Sequence, residues 1–234
     1  MTIAFIGAGN MAISLIRGLL SNGMSTADLI AADPSDVQRA NAKGIGIRTE
    51  ADNNIAISEA DIIVVAVKPQ IAGQVLKSLN TIKGTQLVIS VAAGIGLESL
   101  QSWLPEGQPI VRCMPNTPAL VGAGMTGLYA NEQVKPEHRE AAERVLEAAG
   151  AVVWVPSEGL LDAVTAVSGS GPAYFFLLME YMAKTGTALG LDADTSRMLT
   201  LQTALGAALM AQKSTEPLAN LRQNVTSPGG TTEA

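Results

Sequence analysis

Ile3-Ala-Phe-Ile-Gly-Ala-Gly-Asn-Met-Ala12 is the stretch whose reading decides the fold. The apolar run Ile3 to Ile6 reads as a buried strand, and residues 11–20 open a helix. Between them, Gly7 permits a tight turn and Gly9 lets a pyrophosphate approach the backbone. Ala12 sits where the dinucleotide fingerprint allows Gly or Ala. The amides at the start of the helix, at Asn10 and Met11, meet the phosphate charge. Asp33 closes the next apolar run, Leu29–Ala32, in the position of the acidic residue that bonds a ribose hydroxyl. A purely structural glycine turn is the alternative. The strand before it, the helix after it and the placement of Asp33 favour a nicotinamide or flavin dinucleotide.

Working outward, short apolar runs alternate with helical stretches through the first two thirds of the chain. Strands are expected at 2–6, 29–32, 62–67, 87–91, 110–113, 124–130 and 152–155. Helices are expected at 11–20, 35–43, 70–79, 97–103 and 136–149. Such alternation predicts an α/β fold: a parallel, doubly wound, Rossmann-type sheet with helices on both faces. The pattern stops near Pro156. Residues 160–167, 172–189, 193–211 and 217–224 all read as helix. The sequence therefore divides into a dinucleotide-binding domain, 1–157, and an all-α domain, 158–234.

Tyr174, Phe175, Phe176, Leu177, Leu178, Met179, Tyr181 and Met182 leave almost no polar face on the helix expected at 172–189. A helix that is apolar all round must be covered on all sides. The short helical half cannot easily supply that cover, so a partner subunit is expected to. The alternative cover is the first domain. Glu180 and Lys184 interrupt the apolar run, which makes it a buried or interfacial helix rather than a membrane span.

Composition excludes other classes. The formal charge of −6, with no basic cluster, argues against binding a nucleic-acid backbone. Cys113 is the single cysteine, so no intrachain disulfide can form, which suits a reducing cytoplasm. The chain enters a strand at once, without the charged region and cleavage site of a secretory signal. There is no H-E-x-x-H, C-x-x-C or acidic cluster at metal spacing, so no metal site is expected. The only histidine, His138, lies in a charged helical segment and reads as a solvated face. A hydride acceptor that is already activated, such as an iminium ion, would fit an enzyme without a strong base.

Ligands of open α/β sheets bind beyond the carboxyl ends of the strands. There the sequence places Ala66-Val67-Lys68-Pro69, Val91-Ala92-Ala93-Gly94 and Met114-Pro115-Asn116-Thr117-Pro118, small or rigid residues against which a flat ring can lie. Lys68 reads equally as a ligand to a ribose or carboxylate and as a solvated loop lysine. Cys113 lacks a neighbouring base and reads as a buried thiol. Two glycine- and hydroxyl-rich loops stand in the helical half: Ser168-Gly-Ser-Gly-Pro-Ala-Tyr174 and Thr226-Ser-Pro-Gly-Gly-Thr-Thr232. N-capping accounts for one hydroxyl in each. The additional hydroxyls and paired glycines favour a nest for a small anion such as a carboxylate.

These motifs, with Gly7-Ala-Gly-Asn-Met11, Val67-Lys-Pro-Gln70, Arg112-Cys-Met-Pro-Asn-Thr-Pro118 and Asp162-Ala-Val-Thr-Ala-Val-Ser168, together resemble pyrroline-5-carboxylate reductase. The resemblance runs along the whole chain in order. It implies hydride transfer from NADPH or NADH to the C=N carbon of 1-pyrroline-5-carboxylate, giving L-proline, the last step of proline synthesis. It also implies a homodimer through the helical domains, with further assembly into a ring of dimers. The implied cofactor contacts are Gly7, Ala8, Gly9, Asn10, Met11, Asp33, Asn53, Ala66, Val67, Lys68, Pro69, Val91, Ala92, Ala93 and Asn224. Implied substrate contacts are Glu158, Ser168, Gly169, Ser170, Gly171, Ser227, Gly229, Gly230, Thr231 and Thr232, with the Thr232 hydroxyl near the ring nitrogen as the catalytic group.

Many relatives carry Ser, Arg or Asn at the position of Asp33, suited to a 2′-phosphate. A carboxylate there favours NADH, and Arg39 stands too far along the next helix to offset it. Relatives also continue with helices past Ala234, so the helical domain is expected to be truncated. Two rival readings remain. A β-hydroxyacid dehydrogenase would need a catalytic lysine in the second domain, but Lys184 lacks an Asn four residues on, where Ala188 stands. A non-catalytic dinucleotide sensor would have an emptied substrate loop.

Overall fold

The computed structural model describes residues 1–227, 229 and 230. Strands β1 (Ile3–Ile6), β2 (Leu29–Ala32), β3 (Arg48–Glu50), β4 (Ile62–Val65), β5 (Leu87–Ser90), β6 (Ile110–Met114), β7 (Gly124–Ala130) and β8 (Gly150–Trp154) form one sheet. Their order is β3-β2-β1-β4-β5-β6-β7-β8. β1, β2, β4 and β5 are buried along their whole length. That burial explains why they read as unbroken apolar runs: both faces are covered by helices. Helices α1 (Asn10–Ser21), α2 (Asp36–Gly44) and α6 (Pro136–Glu147) pack an apolar layer on one face. Helices α3 (Asn53–Ser58), α4 (Pro69–Lys77) and α5 (Leu97–Trp103) pack a second layer on the other.

The sheet is not wholly parallel, contrary to expectation. β7 runs antiparallel to β6, with Cys113 opposite Leu128, and β8 runs parallel to β7. The chain thus leaves β8 at the end of the sheet opposite the carboxyl ends of β1 to β6. Helix α7 (Leu160–Val164) and a π-helical turn, Thr165–Gly169, then carry it back over β6 and β7. The turn replaces part of the helix expected at 160–167, and its wide pitch is fixed by Ser170 N–H donating to the Thr165 carbonyl at 2.8 Å. The edge strand β3 and helix α3 are among the short elements that the sequence did not lead us to expect.

The two ends of the sheet differ in chemistry. At the amino ends, buried Gln86 donates to the carbonyls of Ile57 (2.7 Å) and Ala60 (2.6 Å), while Asn131 accepts from the Ile110 amide at 3.0 Å. These amide side chains satisfy backbone groups at that end. At the carboxyl ends the loops are small and glycine-rich.

The chain divides into two compact units, Met1–Pro172 and Ala173–Ala234. Helix α7, which follows the division expected at 157/158, packs on β6 and β7 within the first of these units. The second unit holds α9 (Ala193–Lys213), α10 (Leu218–Asn224) and nearly all of α8 (Gly171–Ala188). On α8, Tyr174, Phe175, Phe176, Leu177, Leu178 and Tyr181 are each more than half exposed in the single chain. Among the described residues no helix is long and apolar enough to cross a membrane.

Candidate active site

The glycine loop after β1 is built for a phosphate. Gly7 has φ +94°, and a Cβ there would lie 2.7 Å from the Ala66 carbonyl oxygen and 3.1 Å from Val67 Cγ1. Only glycine lets the loops after β1 and β4 close against each other. Gly9 differs. Its conformation is extended (φ −74°, ψ −176°), and a Cβ would meet nothing within 4 Å. The first amide of α1 to find a helical partner is Ile13, bonded to Gly9 O at 3.0 Å, and Gly9 provides no side-chain cap. The first-turn amides thus face open space over a glycine, as the pyrophosphate of a dinucleotide requires. The residues fit that group.

Asp33 lies just past the carboxyl end of β2. One carboxylate oxygen accepts the Ala8 amide at 2.9 Å and the other the Ser35 amide at 2.9 Å. The carboxylate therefore also shapes the glycine loop, and each oxygen keeps a lone pair for a ribose hydroxyl. Arg39 corrects the sequence reading. It folds back along α2, and its Nη1 donates to the Asp33 carbonyl at 2.6 Å while Nη2 pairs with Asp36. A guanidinium is thus present at this corner, with Asp33 and Asp36 beside it. Asn53 begins α3 just past the carboxyl end of β3. Asn54, next to it, is occupied: its side chain donates to Ser78 O at 3.2 Å and accepts from the Asn80 amide at 2.8 Å. The Asn53 and Lys68 side chains have no protein partner among the described residues.

Val91, Ala92 and Ala93 follow β5, beside Ala66 to Pro69. Glu158, expected to border the pocket, makes two bonds through one oxygen: it accepts from the Leu97 amide at 2.7 Å and from Arg112 Nη1 at 2.6 Å. Ser168 is held by Asn116, whose Nδ2 donates to the Ser168 carbonyl (3.2 Å) and hydroxyl (3.1 Å). The Oδ1 of Asn116 accepts the Met125 amide at 2.9 Å. Asn116 thus ties the loop after β6 to the Ser168–Gly171 turn, and Met114 Cε would lie only 2.6 Å from a Cβ on Gly169. Arg112 and Asn116 appeared in the sequence only as parts of motifs. Their partners lie 46 and 52 residues away, so only the folded chain reveals the roles.

The remaining candidates lie in the second unit. Asn224, at the end of α10, donates to Glu216 Oε2 at 3.2 Å. Ser227 accepts the Gly230 amide at 2.9 Å through its carbonyl, in a turn where Gly229 has φ +72°. Thr231 and Thr232 lie outside the described residues. Lys184, the rival catalytic lysine, is bonded to Glu180 at 2.5 Å on the surface of α8. His138 Nδ1 accepts the Lys135 amide at 3.3 Å where α6 starts, at the opposite end of the sheet from the glycine loop. Cys113 is buried, and desolvation pushes its thiol far above the usual range, so it is no nucleophile. A separate cavity of about 610 Å³ flanks α1 between Arg17, Gln38, Asn41 and Val121, and touches the phosphate loop only at Asn10. Among the described residues, no three His, Cys, Asp or Glu side chains are grouped to hold a metal.

A glycine loop under a free helix start, an acidic residue just past the second strand and small loops at the strand ends define a nicotinamide-dinucleotide oxidoreductase. Comparison with known proteins agrees. Residues 2–94 match the NADP oxidoreductase, coenzyme F420-dependent family, and residues 158–234 match the pyrroline-5-carboxylate reductase dimerisation family. A pyrroline-5-carboxylate reductase of Pseudomonas aeruginosa is 53% identical over 99% of this chain and 86% of its own length. The structure of a Coxiella burnetii pyrroline-5-carboxylate reductase superposes with a TM-score of 0.92 at 43% identity, covering 99% of this chain and 87% of that one. A Plasmodium falciparum pyrroline carboxylate reductase with NADP bound gives 0.89 at 32% identity, over 100% and 87%. The chain belongs to the pyrroline-5-carboxylate reductase family. Its exposed apolar α8 falls inside the segment matched as a dimerisation domain, so the chain forms an oligomer through this half and acts on a small molecule.

Proposed function

We propose that the chain reduces 1-pyrroline-5-carboxylate to L-proline, the last step of proline synthesis, in the cytoplasm. The observation that carries this reading is the 53% identity to a reductase of that name along 99% of the chain, both of the chain's matched segments included. When bound, the nicotinamide dinucleotide supplies the hydride to the C=N carbon, and one proton on nitrogen completes the secondary amine. The site candidates include no histidine, so the imine enters as its protonated form and the protein orients it. Ser227, Gly229, Gly230 and Thr231 hold the substrate carboxylate, and Thr232 aligns the ring nitrogen. The Ser168–Gly171 turn, fixed by Asn116, closes one side. Gly7 to Met11, Asn53, Ala66 to Pro69, Val91 to Ala93 and Asn224 hold the dinucleotide. Orientation of two reactants can supply up to about 7–11 kcal/mol of the barrier.

In this reading residues 1–157 are the dinucleotide domain and residues 158–234 the substrate and dimerisation domain, assembled as homodimers and as a ring of dimers. NADH is accepted at least as well as NADPH, because Asp33 and Asp36 stand against a 2′-phosphate and Arg39 is already engaged by both residues. The test is consumption of NADH and of NADPH by the purified chain with the pyrroline, with 2-ketoacids and hydroxyacids as controls. Turnover with the pyrroline alone is expected, and turnover with a hydroxyacid alone would overturn the assignment. Thr232→Ala is expected to lower kcat at saturating substrate; an unchanged kcat removes Thr232 from the reaction.

A further inference from the structure

Loop 91–96 follows β5 and passes the nicotinamide end of the site. It is pinned at both ends. At the first end, Val91 N–H donates to the Val65 carbonyl at 3.1 Å, which continues the sheet. At the other, the Leu97 amide that starts α5 donates to Glu158 Oε1 at 2.7 Å, across 61 residues of sequence. Gly96, the residue before α5, offers no side-chain cap of its own, so Glu158 supplies it. The same oxygen accepts Arg112 Nη1 at 2.6 Å, and the Arg112 and Glu158 side chains are only 14% and 32% exposed. Arg112 lies within β6, paired with Ser90 of β5 on one side and Tyr129 of β7 on the other. A rigid central strand therefore sets Glu158, and Glu158 sets the far end of the loop.

Glu158 also opens the segment that climbs through α7 to the Ser168–Gly171 turn, which Asn116 ties to the end of β6. The loop for the hydride donor and the turn for its acceptor are thus referenced to one strand.

We propose that Glu158 and Arg112 are positioning residues that fix loop 91–97 for hydride transfer, and that Glu158 does not contact the imine. The proposal rests on the reductase reading for its kinetic consequence, but its structural half stands without it. A displacement of about 1 Å between reacting groups can cost on the order of 100-fold in rate. Removing the pin should therefore act on kcat, and the pyrroline KM should hold.

The experiment compares Glu158→Ala, Glu158→Gln, Arg112→Met and the Arg112→Met/Glu158→Ala double variant in the full chain. Amide hydrogen exchange without cofactor or substrate is read first. Exchange in the peptide spanning 91–97 should quicken at least tenfold in Glu158→Ala, while Glu158→Gln, whose amide oxygen can still accept from Leu97, should stay within about threefold of the parent. Unchanged exchange in Glu158→Ala overturns the proposal, whatever reaction the chain catalyses.

Kinetics follow. Glu158→Ala should lower kcat on the order of 10- to 100-fold, with the pyrroline KM within threefold and a larger primary isotope effect from 4-deuterated NADH. Glu158→Gln should recover most of kcat, and the double variant should be no worse than the poorer single variant. A raised pyrroline KM with kcat unchanged, in both Glu158 variants, would make Glu158 a substrate ligand and overturn the proposal. So would a lower thermal midpoint with kcat unchanged, which describes a merely structural pair. Turnover of the pyrroline by the parent chain tests the reductase reading separately.

Discussion

Gly7 and Gly9 stand two residues apart in one loop, yet alanine should affect them through different physics. At Gly9 the backbone is extended and the added Cβ meets nothing within 4 Å, so the fold has room for it. The cost to stability is that of alanine at a helix N-cap, about 0.5–1 kcal/mol. The same methyl stands in the approach to the first-turn amides of α1. Losing one charge-assisted hydrogen bond to phosphate weakens dinucleotide binding by about 1.5–3 kcal/mol. At about 1.4 kcal/mol per decade this is roughly 10- to 150-fold in Kd.

At Gly7 the backbone has φ +94° and the Cβ would lie 2.7 Å from the Ala66 carbonyl oxygen. Strain of about 1–2 kcal/mol adds to overpacking of about 1–3 kcal/mol. For a unit of this size the thermal midpoint should fall by roughly 5–20 °C. The assay pairs calorimetric titration with NADH and NADPH against thermal unfolding at one protein concentration. The reasoning is refuted if Gly9→Ala binds the dinucleotide within threefold of the parent chain. It is refuted equally if Gly9→Ala unfolds as early as Gly7→Ala.

Two other glycines give a paired stability test. Gly18→Ala in α1 puts a Cβ 1.9 Å from the Ala148 carbonyl oxygen and should cost about 2–4 kcal/mol, whereas Gly44→Ala in α2 meets nothing and should gain about 0.5–1 kcal/mol. Urea unfolding that moves both midpoints in the same direction would contradict this. If Asp33 meets the ribose as proposed, Asp33→Ser removes a charge that repels a 2′-phosphate and an acceptor for a ribose hydroxyl. The ratio of kcat/KM for NADPH to that for NADH should rise by about tenfold, and an unchanged ratio would release Asp33 from cofactor choice. Because burial raises the Cys113 thiol pKa, a thiol reagent at pH 8 should label the folded chain far more slowly than the chain in denaturant. Equal rates would show that the site is open.

The sequence revealed those parts whose signal is local. Each fully buried strand among β1, β2, β4 and β5 appears as an apolar run, and α5 appears with its observed bounds, Leu97–Trp103. β3 does not, because Arg48-Thr49-Glu50 is an edge strand, partly exposed and paired only with β2, so burial imposes no pattern on it. Strand direction has no periodicity at all. The reversal of β7 could have been inferred from the connection before it, since residues 115–123 are fewer than the dozen or so that a parallel crossover needs. Residues 131–149, which contain α6, are long enough, and β8 duly runs parallel to β7.

The site divides in the same way. The phosphate loop and its glycines are contiguous and could be read directly. Arg39 stands a turn into α2, yet its long side chain runs back over that turn to the Asp33 carbonyl, a reach that sequence spacing does not show. The bonds of Glu158 to Arg112 and Leu97, and of Asn116 to Ser168, join residues between 46 and 61 positions apart and have no local signature.

The reversal of β7 and β8 also sets how much of the chain must be made before the site can exist. The glycine loop, Asp33 and the loop after β4 have all been made by β6, but Glu158, which pins the far end of the loop after β5, comes only after β8. The turn that Asn116 holds lies beyond two strands that must first pair at the end of the sheet. Because a domain folds as a unit, and Met1–Pro172 is one compact unit, a nascent chain completes its glycine loop only when β7, β8 and α7 have emerged as well.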